Sequence, residues 1–258
     1  MSRKHVKIAA MALFFFSTLH PAVFCEESTA DLKNEIEELR LEQKALHEEL
    51  KMIRDILLKG PGGAQKQANV RDVEFELGNN PVMGTDSAPL VMVEFSDYQC
   101  SFCARHTKET YPEIFENYVK TGKIRYAFVD KPLPSHDKAD EAAEAAHCAA
   151  EQGKYWEMHK EMLLDSDSLD DLTTLASSIG LDVPEFKNCM ETKKYSGTVA
   201  ENLSLAERLS VPSVPGFVIA SRDPDNPKRV KGISYIRGAQ PYAQFQKEID
   251  RALAALSE

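Results

Sequence analysis

Apolar residues recur along this chain at several distinct spacings, and each spacing marks a different kind of segment. Residues 8–17 (IAAMALFFFS) form a short apolar run behind Arg3, Lys4 and Lys7. From Leu32 the apolar positions are Leu32, Ile36, Leu39, Leu46, Leu50, Ile53 and Leu57, with Gln43 in the one polar slot, and the steps alternate four and three. This is a heptad pattern, with Leu32, Leu39, Leu46 and Ile53 at d and Ile36, Gln43, Leu50 and Leu57 at a. The g positions Glu35, Glu42 and Glu49 then face Arg40, His47 and Arg54 at e across a parallel interface, which a helix packed on its own domain would not need. Gly60-Pro61-Gly62-Gly63 ends the helix, and residues 60–72 read as a flexible linker. Beyond it, residues 73–78 alternate as a strand does. Residues 89–96 (PLVMVEFS) and 123–129 (KIRYAFV) are apolar enough for central strands. The helical spacing runs from Cys100 to about Lys120. It returns over 137–150, 155–165, 169–179, 184–191 and 197–209. Two strands, near 216–221 and 232–238, and an amphipathic helix over 241–256 complete the chain. A strand–helix–strand unit, a helical block, a hairpin and a last helix predict an α/β fold with a helical insertion.

Charge and length narrow the classes. The 258 residues carry 41 acidic against 31 basic side chains, a net charge of −10, which excludes general nucleic-acid binding. No apolar stretch reaches 18 residues, so a polytopic membrane protein is excluded. The basic start, the apolar run and the break at His20-Pro21 have the layout of a signal peptide over residues 1–25, cleaved near Cys25. An uncleaved anchor is one rival; lipidation at Cys25 is another, which the bulky Phe24 disfavours. The domain reading is then a signal peptide (1–25), a coiled-coil oligomerisation helix (26–59), a linker (60–72) and a catalytic domain (73–258). Cleavage would remove one of five cysteines and leave Cys100, Cys103, Cys148 and Cys189 in an oxidising compartment, the periplasm.

The candidate chemistry is Cys100-Ser101-Phe102-Cys103, at the end of a strand and the start of a helix. The spacing puts both sulfurs on one helical face, with Cys100 at the N-terminus, where free N–H groups favour thiolate over thiol. Thiolate is the attacking species in disulfide exchange, and the more buried Cys103 would resolve the intermediate. A metal held by Cys100, Cys103 and His106 with one further ligand is one alternative, although no second CxxC exists to complete a zinc site, and a purely structural disulfide is another.

These residues carry a resemblance. Glu94-Phe95-Ser96-Asp97-Tyr98-Gln99 ahead of the CxxC, Val214-Pro215-Gly216-Phe217 ahead of a strand, and Gly238-Ala239-Gln240 before the last helix resemble the DsbA-like branch of thioredoxin-fold thiol–disulfide oxidoreductases, over roughly residues 73–258. The resemblance implies a thioredoxin fold with a helical insertion and a cis peptide at Val214–Pro215 packed against the CxxC. The preceding residue then offers its backbone to an extended client strand; Pro212 is the other candidate for that place. The resemblance also implies that Glu94 is a buried acid that shuttles protons to Cys103, with burial raising its pKa. It implies further that Cys148 and Cys189 form a structural disulfide, against the alternative of two buried free thiols. Two positions depart from the family's commonest forms: Ser101 stands where many members have proline, and Phe102 where the most oxidising have histidine. His106 is expected to be a surface or packing residue, Pro112 to kink the first helix, and Lys131 to face solvent.

The reading is an exported protein thiol–disulfide oxidoreductase, an isomerase or reductase if its oligomerisation through residues 32–57 dominates, an oxidase if the valine before Pro215 does. Its expected partners are protein clients with thiols or disulfides, a membrane redox partner and its own copies, with no nucleic acid, no cofactor and no metal. The alternatives are a coiled-coil scaffold and a metal-handling exported protein with a non-catalytic CxxC.

Overall fold

Residues 68–256, together with Ile36, Leu39, Arg40 and Gln43, are described by a computed structural model. Those four residues are helical and exposed, and they belong to a unit, residues 1–63, separate from the second unit, residues 64–258. The rest of the heptad segment, the signal-peptide reading and residues 60–67 of the expected linker lie outside the described residues.

The second unit is built on one six-stranded sheet. Its strands are β1 (Glu74–Glu76), β2 (Val82–Met83), β3 (Leu90–Ser96), β4 (Ile124–Asp130), β5 (Gly216–Arg222) and β6 (Arg229–Arg237), in the order β1-β6-β5-β3-β4-β2. β3 and β4 pair in parallel and every other pair is antiparallel. Strands β3 and β4 are buried at every position, as their continuous apolar runs require. β2 is two residues long and pairs with β4 through Val82 and Met83.

The parallel β3–β4 pair needs a crossover, and the helical run α1 supplies it. It comprises a helical turn Ser101–Arg105, a wide π turn His106–Thr110, a second helical piece Tyr111–Ile114 and a second π turn Phe115–Val119. The expected kink at Pro112 takes this form: proline has no N–H to donate, and the widened turn directly before it absorbs the missing bond. The insertion contains α2 (Ala139–Ala150), α3 (Tyr155–Leu164), α4 (Leu172–Ser178), α5 (Val183–Glu191) and α6 (Ser196–Arg208), and α7 (Tyr242–Ala255) closes the domain. Asp165 and Asp171 cap short helices by accepting backbone N–H bonds from Asp167 and Thr174, so the acidic run 165–171 is a helix-starting loop.

Side-chain alternation along β3 divides the core. Val91, Val93 and Phe95 pack with α6 and with Val70, Phe75 and Leu77. Leu90 and Met92 face the layer of α1 and α7, through Ile114, Tyr118, Phe245 and Ile249. A third cluster fills the insertion and reaches Tyr98, Cys100, Cys103 and Val214. The expected linker is corrected here: from Ala68 the chain is already part of the domain. Val70 is buried, Asn69 N–H donates to Leu209 O (2.8 Å) and Asp72 N–H to Gly232 O (2.8 Å). A valine amid polar residues carries too little pattern to reveal this.

Candidate active site

Cys100 is the N-cap of α1, with extended backbone, so its sulfur stands at the open end of the helix. Its acidity follows. The Cys103 S–H donates to it, the N–H groups of Cys103 and Phe102 add to that, and together they outweigh burial, lowering the thiol from an ordinary 9.0 to about 6. Cys103, one turn on and fully buried, is pushed well above the ordinary thiol range. Burial is the main cause, with its bond to Cys100 and the charge of Glu94 acting in the same direction. Both thiols are free, and Cys100 Sγ lies 4.0 Å from the Val214 carbonyl oxygen.

Val214–Pro215 is a cis peptide. Its loop is held from two sides. Gly238 N–H donates to Pro215 O (2.9 Å), and Gly216 packs under Tyr235 so closely that a Cβ there would lie 2.5 Å from Tyr235 Oη and 2.9 Å from Ser213 O. Only glycine fits at position 216.

Glu94 is the one charged residue in a buried strand, 1% exposed, on the same face as Leu90, Met92 and Ser96. Burial raises its carboxyl from 4.5 to about 7, against the pull of a hydrogen bond donated by Tyr126. The charges of Cys100 and Cys103 are both felt at this acid or feel it. The structure thus brings Cys100, Cys103, Glu94, Val214 and Pro215 to one end of the sheet.

Cys148 and Cys189 stand elsewhere, joined by a disulfide that ties α2 to α5 (Cα–Cα 5.9 Å). Among the described residues no group of three or more His, Cys, Asp and Glu stands close enough to hold a metal ion, so Cys100, Cys103 and His106 do not assemble as ligands. His106 is not on the surface: it is buried, its ring 4.4 Å from that of Phe217 and 5.2 Å from that of Phe245. Lys131 is also corrected. It is half-buried after β4, its N–H bonds Ser96 O (2.7 Å), and burial pushes its ammonium down.

Sequence reasoning quoted Asp97-Tyr98-Gln99 only as a motif. In the structure each side chain ties the segment before Cys100 to another part of the domain. The buried Asp97 carboxylate accepts from Gln99 N–H (2.7 Å), Leu133 N–H (2.7 Å) and His136 Nδ1 (2.8 Å). Tyr98 Oη meets Tyr155 Oη (3.1 Å) and His159 Nδ1 (3.2 Å) on α3, which makes Tyr155 and its neighbours a packing cluster. Gln99 bonds Asp137 and the Lys138 N–H at the start of α2. Polar residues crowded between a strand and a CxxC were the available signal. Beside the thiols, Phe102 is 55% exposed, with the Arg105 guanidinium 5.0 Å over its ring and anchored on Ala239 O (3.2 Å).

Known proteins are similar to this chain in sequence and fold. A family model described as thioredoxin matches residues 76–236, more than half of the chain. Among curated proteins, the Na(+)/H(+) antiporter NhaA 3 of Salinispora tropica is 33% identical over 156 residues, covering 59% of this chain and 23% of that protein. The chain therefore spans about a quarter of the length of the curated relatives it matches first. Disulfide bond formation protein D of Bacillus subtilis is 23% identical over 150 residues, covering 54% of this chain and 67% of that protein. Of solved structures, alpha-DsbA1 of Wolbachia pipientis superposes with a TM-score of 0.57 at 28% identity, over 69% of this chain and 92% of that one. Oxidised BdbD from Bacillus subtilis, at 18% identity and a TM-score of 0.61, covers 72% and 99% and shares the fold. By its family match and its DsbA-like helical insertion, the chain belongs to the thioredoxin family.

Proposed function

We propose that the chain is an exported protein thiol–disulfide oxidoreductase acting through Cys100 and Cys103. The observation that carries this is the placing of Cys100 at the N-cap of α1, one turn from the buried Cys103, 4.0 Å from the Val214 carbonyl of a cis-proline loop and beside a buried acid, an arrangement that lowers one thiol and pushes the other up. The Cys100 thiolate attacks one sulfur of a client disulfide, and the other client sulfur leaves as thiolate. Cys103 then gives its proton to Glu94 and attacks Cys100 Sγ. The mixed disulfide breaks, the second client sulfur leaves as thiolate, and the client is reduced by two electrons while the Cys100–Cys103 pair becomes a disulfide. Run backwards, the same steps oxidise a client dithiol. The Val214 backbone beside Cys100 is where an extended client chain would pair, and a membrane redox partner would reset the cysteines. An insulin-reduction assay with a small-thiol recycler tests the activity; a rate no higher than the recycler's own would remove it.

The direction we propose is isomerase and reductase. Clustered active sites on a coiled coil enclose a misfolded client and block docking of an oxidising partner. Acidity opposes this only weakly: a thiol at about 6 rather than 9.0 stabilises the reduced pair at pH 7 by roughly tenfold and makes it more oxidising by only about 30 mV for a two-electron couple. A reduction potential at or below about −180 mV is expected. A value near −120 mV would reverse the assignment to oxidase. Removal of residues 26–59 is expected to leave a monomer in sedimentation equilibrium; an unchanged oligomer would sink the coiled-coil part of this reading.

A further inference from the structure

Glu94 has a partner that the reading above does not use. In the parallel register Glu94 lies opposite Phe128, and Tyr126 is two residues earlier on the same face of β4. Tyr126 Oη donates to Glu94 Oε2 and stands 3.3 Å from His106 Nε2 on α1. All three residues are 1% exposed. With Glu94 ionised, the hydrogen inventory closes in one way. A phenol carries one proton, and here it is given to Glu94, so Tyr126 Oη can only accept from His106. Burial holds His106 neutral, down to about 3, so its ring has a single N–H. That N–H is on Nε2, and Nδ1 is a bare lone pair; Nδ1 accordingly makes no hydrogen bond. The chain of donors runs from His106 to Tyr126 to Glu94, each bond strengthening the next.

The two carboxylate oxygens are thereby divided. Oε2 is taken by Tyr126, and Oε1 makes no hydrogen bond. The Ser96 hydroxyl is near enough to favour the carboxylate slightly, but it too makes no hydrogen bond. We propose that Tyr126, oriented by His106, is a positioning residue for disulfide exchange: it holds Glu94 by Oε2 as a carboxylate and leaves Oε1 to receive the proton of Cys103. This rests on the reading that Cys103 resolves the mixed disulfide. The proton passes from Cys103 Sγ to Oε1 as the sulfur's electron pair forms the bond to Cys100 Sγ, and the client sulfur departs with the electrons of the broken bond.

The groups facing Glu94 leave Tyr126 with this task. Cys100, Cys103 and Tyr111 face it from α1, Tyr126 from β4, Tyr98 from the loop before Cys100 and Tyr155 from α3. None is a cation. The Tyr126 bond is the largest influence favouring the ionised acid against burial.

The test is the pH profile of single-turnover insulin reduction by the full reduced chain. The wild type should show an inflection from Glu94 near 7, separate from the Cys100 thiolate absorbance, which titrates near 6. Tyr126→Phe removes one oxygen and should move the upper inflection up by about one pH unit, the worth of one hydrogen bond to a charged group. The rate then falls about fivefold at pH 7 and recovers by about pH 9, while the thiolate titration stays in place. A purely structural role would slow every pH alike. His106→Leu should move the inflection the same way, and His106→Gln, whose amide can still donate to Tyr126, should restore it; this pair decides the matter should Tyr126→Phe fold poorly. Inflections that stay put in both Tyr126→Phe and His106→Leu overturn the proposal. Glu94→Gln is the separate control. If it abolishes the inflection, Glu94 is the acid whatever Tyr126 does; if it does not, the reading of Glu94 itself fails.

Discussion

Cys100→Ser is expected to reduce insulin-disulfide turnover to the uncatalysed background. The argument is one of ionisation. With Cys100 at about 6, roughly nine-tenths of it is thiolate at pH 7, against about one per cent for a thiol at 9.0. A serine hydroxyl in the same place supplies no anion and cannot form the mixed disulfide at all. The gain from acidity alone is smaller than the ionised fractions suggest. Intrinsic nucleophilicity falls with pKa at a Brønsted slope of about 0.4–0.5, so a three-unit shift returns about twentyfold of the roughly ninetyfold increase in thiolate. The remaining factor is about four or five. The larger consequence of the lowered pKa is that Cys100 leaves well when a client thiol attacks the client's own sulfur in the mixed disulfide, the step by which an isomerase releases its client without Cys103. Cys103→Ala removes the thiol that attacks Cys100 Sγ and expels the client sulfur, and should accumulate a client cross-linked at Cys100, visible on a non-reducing gel. In the reduced wild type, absorbance near 240 nm should titrate with a midpoint near 6. Above pH 7 the first attack should level off instead of climbing to pH 9. Residual turnover in Cys100→Ser, or a thiolate midpoint near 9, would show that the N-terminus of α1 does not activate this thiol.

What could be read in advance depended on whether the signal was local. β3 and β4 are continuous apolar runs, and α7 an amphipathic stripe, so periodicity reached them within a residue or two. β2 could not be found this way, because two residues hold no period; its pairing with β4 is a product of the folded sheet. β6 begins at Arg229, three residues earlier than the apolar pattern, because Arg229, Val230 and Lys231 alternate and pair with β1. The site divides in the same manner. Cys100 and Cys103 announce themselves, and Glu94 stands out as an acid in an apolar strand. Tyr126 and His106 do not. A tyrosine in a core strand and a histidine on a helix look like packing until the parallel register places Tyr126 diagonal to Glu94 and the first turns of α1 lower His106 onto it. The three polar residues before Cys100 were legible as a motif but not as a scaffold, since their partners lie on the loop between β4 and α2 and on α3, more than thirty residues away.

The second large effect concerns stability. Replacing both Cys148 and Cys189 by alanine should lower the free energy of unfolding by about 2–4 kcal/mol, enough to move a urea midpoint down by about 1–2 M. The bond closes a loop of 41 residues, for which the chain-entropy account gives about 4 kcal/mol. The local packing explains why this segment needs it. α2 buries Ala139, Ala142, Ala143, Ala145, Ala146 and Ala149, side chains of one carbon each, which let its neighbours approach closely but remove little apolar area from water. On the other side of the bond, α5 adds only Phe186 and Cys189 to the core. A helix with so little to bury relies on a covalent tie more than a leucine-rich one would. The two cysteine pairs also differ in reactivity, by acidity more than by exposure. Cys148 and Cys189 are 1% and 4% exposed inside the insertion core and bonded to each other, whereas Cys100, 7% exposed, caps α1 with its thiol lowered to about 6. A mild reductant followed by alkylation of the native protein should therefore label Cys100 and leave Cys148 and Cys189 unlabelled until the domain is unfolded. Equal labelling of Cys100 and Cys148 under native conditions, or an alanine double variant as stable in urea as the wild type, would mean that the bond is not what holds α2 against α5.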